Sequence, residues 1–521
     1  MDLAEQARSR PGVRVNQVGY LPDGPKAATV PAPGPFTVRA GDRTVWSGVS
    51  DGRVADFSGL RAPGTYTVEA GGAVSHPFRI GPDVYDGLLG DALRFFYAQR
   101  SGIAIDDAVM PGYGRPAGHP GDVSVDGLDV SGGWYDAGDH GKYVTSGALP
   151  AAMLLAAYER QPRPALLEEA RWQVDWLVRM QVPPGRPHAG LAYHRVHGED
   201  WTPLPMWPHL DRSRRVLHPP STAAGLHLAA AAAHAARVLA GRPAAPGPGA
   251  TGAPGPDGPD GPDADRYLRA ARVAYDAALR EPDLLAPDDA GAHGGGPYDD
   301  ADLADDFFWA ATELWLTTGE DRYRADLEAH RAPPAWVEWN DLTAWARIGL
   351  ADPAIAVRAD ELLAIQAGTP YGQPYDPDDG WDWGSTGRIL GAVLILAAAH
   401  TLTGHSRYRI GGLTGLDYVF GRNPVGLSFV TGWGTETAHR QRTRHFAHAL
   451  DPSFPPPPRG SVAGGPASKE FPGWPADPRF AGLPDQLHYV DEPTSETTND
   501  VCIRWNAPLV LAAGWLLVQA A

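Results

Sequence analysis

The sequence holds a single cysteine, Cys502, in 521 residues. No intrachain disulfide can form, and no cysteine-based zinc site can be assembled. Basic residues are scarce as well: 44 Lys and Arg stand against 62 Asp and Glu, for a net charge of −18. That balance excludes nucleic acid as a partner, because phosphate neutralisation needs clustered Lys and Arg. Apolar runs of membrane-spanning length are also missing, so no membrane partner is expected. The Ala-rich stretch 223–240 contains His and Arg and reads as a buried helix. The opening residues, Met1 to Arg14, lack the apolar core of an export signal. They point to a cytoplasmic protein, or to one whose signal has already been removed.

What the chain does have is tryptophan, 17 of them, within a hydrophobic content of 43%. Such a composition builds a sizeable core and also suits surfaces that stack on flat ligands. The length predicts at least two units. Residues 13 to 80 show short alternating strands, such as Phe36-Thr37-Val38 and Gly64-Thr65-Tyr66-Thr67-Val68, separated by Pro and Gly clusters. They predict a small antiparallel sandwich over residues 1–82. From about Asp83 apolar residues recur at helical spacing in segment after segment, so 83–521 should be nearly all helix and long loops. The stretch 241–265 is dominated by Pro, Gly, Ala and Asp, and predicts a disordered insertion between two helices.

The most informative stretch is Gly132-Gly133-Trp134-Tyr135-Asp136-Ala137-Gly138-Asp139-His140. Two carboxylates three residues apart can share one side of a tight turn and aim at a common point. Carboxylates so placed bind a cation, share a proton or hold a polarised water. Glycosidases need such a water, and Trp134 and Tyr135 offer flat faces on which a sugar stacks. Spacing alone leaves a helix cap with a solvated acid, a cation site and a catalytic pair all open.

Five ordered segments resolve the choice. Besides the Asp136 to Asp139 motif they are Trp381-Asp382-Trp383-Gly384-Ser385, Gly421-Arg422-Asn423-Pro424, Ser428-Phe429-Val430-Thr431-Gly432 and Trp505-Asn506-Ala507-Pro508-Leu509. With Arg14-Val15-Asn16-Gln17-Val18-Gly19-Tyr20-Leu21-Pro22 at the front, the chain resembles glycoside hydrolase family 9, in the subgroup with an N-terminal immunoglobulin-like domain. The resemblance covers nearly the whole chain. It implies a mainly α fold, an (α/α)6 toroid preceded by a small immunoglobulin-like β-sandwich, in which ring closure makes the first and last hairpins neighbours. It implies inverting hydrolysis of β-1,4 links in glucan or cello-oligosaccharides, with Asp139 as general base and Asp136 as holder of the attacking water. Trp383 reads equally as part of the cleft or as an ordinary core tryptophan, and the resemblance implies that no cofactor is required.

The chain departs from the family pattern at three places. Asp500 stands where the acid Glu is expected, which withdraws the carboxyl by roughly one carbon–carbon bond, about 1.5 Å. Glu496, four residues earlier, is the alternative acid. Around Gln441-Arg442-Thr443-Arg444, Arg444 matches the family's sugar-binding Arg, but the paired histidines are replaced, with His439 and His445 on either side. Related proteins hold a structural zinc whose cysteine positions read here as Ser101 and Gly118, leaving only His119, so zinc is not expected. Calcium is allowed by the resemblance, with Asp376, Asp378 and Asp379 as a candidate cluster against the plainer reading of a solvated loop. Two rival functions remain at this level: an exo-β-glucosaminidase on chitosan oligosaccharides, its ammonium held by the acidic stretch 491–500, and a carbohydrate-binding protein with weakened catalysis.

Overall fold

Alternation of apolar and polar residues turns the first strands edge to edge and buries one face. In Gly64–Ala70 the inward residues are Tyr66, Val68 and Ala70, and in Gly34–Ala40 they are Phe36 and Val38. The computed structural model describes residues 10–241, 262–288, 291–298, 300–471 and 473–517. Chain compactness divides the molecule into two units, one running to Phe95 and resuming at Ala356, the other spanning Phe96–Ile355.

The first unit contains the sandwich. One sheet orders Gly19–Tyr20, Phe78–Ile80, Gly64–Ala70, Gly34–Ala40 and Arg43–Ser50, and a second pairs Ala27–Thr29 with Val54–Asp56. Tyr20 packs edge-on against Phe57 and Phe78, with ring centroids 5.5 and 5.3 Å away. In the same unit Ser385–Thr403 packs against Ser406–Val419 and Ile503–Ala512. Contrary to the sequence reading, Ser385–Thr403 is long and apolar enough to cross a membrane by length and composition; 72% of it is buried within the protein, as in a core helix.

The sandwich is joined to residues 417–436 through two amides of its opening segment. Asn16 donates from Nδ2 to Asp417 Oδ1 and to the Tyr85 hydroxyl, both at 2.8 Å, while its Oδ1 accepts from the N–H groups of Val18 and Gly19. Gln17 donates to the Gly426 carbonyl at 3.0 Å and accepts from Thr435 and Glu436 N–H. Burial pushes the Asp417 carboxyl up to about 7, against the pull of Arg422 and Asn16. Asn16→Ala should therefore cost about 2–3 kcal/mol, since it strands a buried acid as well as losing bonds. A urea unfolding midpoint within error of wild type would remove this joint from the account of stability.

The second unit is built round Thr222–Leu239. Its many alanines let Val144–Arg160, Pro262–Arg280 and Ala304–Thr318 pack closely on it, and Ser221 caps it by accepting from Ala224 N–H at 3.1 Å. Most of the expected insertion 241–265 lies outside the described residues. Its last four belong to the helix beginning at Pro262, because proline is accommodated in a first helical turn and Asp263 and Asp265 suit a helix N-terminus.

Candidate active site

In the second unit Asp136 and Asp139 sit on a tight loop between a backbone bridge at Trp134 and the pair Lys142–Tyr143. The loop is closed by Asp136 N–H on the Gly141 carbonyl (2.9 Å) and by Gln99, whose Nε2 donates to the Ala137 carbonyl (2.9 Å). Neither aspartate caps the following helix, whose N-cap is Tyr143. The two acids are treated differently. Asp136 is buried with both oxygens engaged, by the hydroxyls of Ser146 and of Tyr298, the latter at 2.6 Å. Asp139 uses only Oδ2, which accepts from Gly141 N–H and the Tyr143 hydroxyl, both at 2.9 Å. Its Oδ1 carries no hydrogen bond among the described residues.

The Tyr143 hydroxyl accepts a hydrogen bond from Gly296 N–H at 3.0 Å and donates one to Asp139. Burial and the adjacent Asp139 hold its ionisation well above the ordinary range, so it stays a donor. Residue 141 must be glycine, since a Cβ there would lie 2.6 Å from Asp139 Oδ2 and 2.4 Å from the Tyr143 hydroxyl.

The structure corrects the reading of Trp134 and Tyr135 as stacking faces, because both are buried. Trp134 packs on Phe96 and donates Nε1–H to Glu169 Oε1 at 2.7 Å; Glu169 is itself paired with Arg100 at 2.9 Å. The Tyr135 hydroxyl bonds His119 Nδ1 at 2.7 Å. These rings support the loop from beneath. Their position beside the acids gave no signal of that, because an aromatic next to a catalytic residue reads the same way whichever side it turns to.

The expected zinc donors do not fit that metal. A Cβ at Gly118 would lie 2.3 Å from the Tyr135 hydroxyl and 2.7 Å from Pro208 Cβ, so no thiolate has room there. His119 is nevertheless not alone: His140 and Asp211 bring ligand atoms within 4.8 Å of it and of one another. Of the calcium candidates, Asp376, Asp378 and Asp379 are exposed, and Asp379 pairs with Lys469 at 3.0 Å. Acidic residues not singled out from sequence stand at the start of Ala304–Thr318. Asp306 is buried and its Oδ2, like Oδ2 of Asp300, has no partner among the described residues. Burial and the neighbouring Asp306 push Asp300 up to about 6 and Asp305 up to about 7.

The first unit carries the remaining candidates. Asp500 follows the short helix Glu496–Asn499, and its Oδ1 accepts from Val501 N–H at 2.9 Å. The backbone round it is fixed: Gly464 N–H donates to the Asp500 carbonyl, and Arg442 N–H to that of Asn499. Asn499 donates to the Arg440 carbonyl and to Asp491, and accepts the Tyr489 hydroxyl at 2.7 Å. Glu496 forms an ion pair with Arg442 at 2.9 Å. His439 is exposed beside Asp491 at 3.1 Å, and Arg444 is buried on the same loop. Trp383 is partly exposed and meets Phe471 and Trp474 edge-on, centroids 5.7 and 5.3 Å away. Asp491, not singled out from sequence, organises this region by accepting from the N–H groups of His439 and Arg440.

With this geometry in hand, comparison with known proteins is direct. The model of glycosyl hydrolase family 9 matches residues 85–513, and that of the cellulase N-terminal ig-like domain matches residues 8–75. The chain is 40% identical to Endoglucanase C of Cellulomonas fimi, an alignment covering 98% of this chain and 52% of that protein. It thus spans about half the length of that relative. It is 32% identical to a cellulose 1,4-beta-cellobiosidase of Acetivibrio thermocellus, covering 98% of this chain and 68% of the other. Among solved structures, a thermostable endoglucanase from Alicyclobacillus acidocaldarius superposes with a TM-score of 0.86 at 29% identity, over 98% of this chain and all of that one. The mainly helical fold class with an immunoglobulin-like front is that of these relatives.

Proposed function

The chain belongs to glycosyl hydrolase family 9, and from that premise we propose that it hydrolyses β-1,4-glucosidic bonds of glucan or cello-oligosaccharides with inversion. The carrying observation is the inequality of Asp136 and Asp139. Asp136 has a hydroxyl on each oxygen, whereas Asp139 is held through Oδ2 alone and keeps Oδ1 open among the described residues. That is what a general base and the holder of its water need. Asp500 is proposed as the acid that protonates the leaving oxygen, the second carboxyl of an inverting mechanism. Arg444, Trp383 and His439 are proposed sugar contacts. Incubation with cello-oligosaccharides, followed by NMR of the newly formed anomers, tests the reading. α-Anomer appearing first supports it, and β-anomer or no turnover rejects it.

The glucosaminidase reading loses its basis, because the acids meant to hold an ammonium are already engaged. Asp491 holds backbone N–H groups, Glu492 pairs with Arg479 at 2.8 Å and Glu496 with Arg442. Asp300 and Asp305, whose folded pKa values burial raises, lend stability at low pH and lose it as pH rises through about 6 to 7. A difference in Tm between pH 5 and pH 8 that is unchanged in Asp305→Asn removes this contribution.

A further inference from the structure

The two residues that flank the Asp136–Asp139 segment, Tyr135 and His140, both end on one buried hub. Tyr135 donates its hydroxyl to His119 Nδ1 at 2.7 Å. His119 Nε2 and His140 Nδ1 then meet the same oxygen, Asp211 Oδ2, at 3.3 and 2.8 Å. The Thr202 hydroxyl donates to that oxygen at 2.8 Å, and Ser213 fills Oδ1 with its N–H (3.0 Å) and hydroxyl (2.6 Å). The protons balance if each ring donates one N–H to Asp211 and His119 accepts from Tyr135. Burial, with Arg215 nearby, pushes His119 down to about 4, which supplies the neutral ring this arrangement needs. Against the burial that would raise it, hydrogen bonds from His119, His140 and Ser213 hold Asp211 far below the usual carboxylate range.

We propose that Asp211 and His119 are positioning residues that clamp both ends of the catalytic loop, and that they do so without a metal. The proposal rests on the reading of Asp139 as the base. The loop between the clamped ends is only four residues long, so rotation of either Tyr135 or His140 displaces Asp139 directly. Misplacement of a catalytic group by about 1 Å costs about a hundredfold in rate. The metal is dispensable because Asp211 is already saturated by five donor contacts. The volume that a sulfur ligand at residue 118 would fill is held by the Tyr135 hydroxyl.

The test uses the whole protein with Asp211→Asn, and with Tyr135→Phe as the milder variant in case the first folds poorly. Asp211→Asn should lower kcat on cello-oligosaccharides about 10- to 100-fold with KM within about twofold, Tyr135→Phe less so. Hydrogen exchange of the Asp136 and Gly141 amides should accelerate in both, while protection in Thr222–Leu239 stays unchanged. A purely structural role would instead lower Tm and the fraction of active protein, with kcat per active site and loop exchange unaltered, and that result overturns the clamp. Stoichiometric zinc in the purified protein, whose removal reproduces the Asp211→Asn effects, overturns it too. Should Asp139→Asn prove active, the base assignment falls, whereas loop exchange in Asp211→Asn still decides the clamp.

Discussion

Asp139→Asn is expected to lower hydrolysis of soluble β-1,4-glucan by about 10²–10⁴-fold, the contribution of a general base, with Tm unchanged. The amide oxygen can still accept from Gly141 N–H and Tyr143, so the side chain should keep its place. What disappears is the charge at the open oxygen, the feature proposed to take a proton from water. Asp136→Asn makes the internal comparison. Its partners are the hydroxyls of Ser146 and Tyr298, which rotate and can accept from an amide. Its loss should therefore be the smaller of the two and fall on kcat rather than KM. Equal rates for Asp139→Asn and wild type in a reducing-sugar assay would move the base elsewhere.

The unequal surroundings of these acids were not legible in sequence, where spacing alone permitted a cap or a cation site and the proposed roles came only through the family resemblance. The structure supplies the physical reason in Tyr298, which lies 162 residues from Asp136 and which no local pattern could connect to it. Helices with strong apolar periodicity, such as Thr222–Leu239, were readable directly. Ser406–Val419 was not, because Gly411, Gly412 and Gly415 argue against a helix. Those glycines face tight packing instead: a Cβ at Gly411 would lie 2.4 Å from Leu363 Cδ2, and one at Gly415 2.9 Å from Val393 Cγ2. Asn16 and Gln17 read only as part of the front segment of the resemblance, and their hydrogen bonds to residues some 400 positions later were invisible. In each case the missing information was long-range, a partner rather than a propensity.

The proposed acid carries the second large effect. Asp500→Ala should reduce cello-oligosaccharide hydrolysis by about 10²–10⁴-fold, yet cost far less on an aryl cellobioside whose dinitrophenolate leaves without a proton. Glu496→Gln should cost only a few-fold on either substrate, because Glu496 is already committed to Arg442. A larger loss there than at Asp500, confined to the substrate with the poor leaving group, would transfer the role of acid to Glu496. Asp500→Glu asks whether the shorter acid is a defect or a fitted part. The backbone on either side is held by Gly464 and Asn499, and the carboxyl by Val501 N–H at 2.9 Å, so the segment has little slack. An added methylene then carries the proton donor about 1.5 Å past its position, and activity should fall about a hundredfold. A rise in kcat would mean the opposite, that the site is one carbon short and the enzyme works below what its base permits.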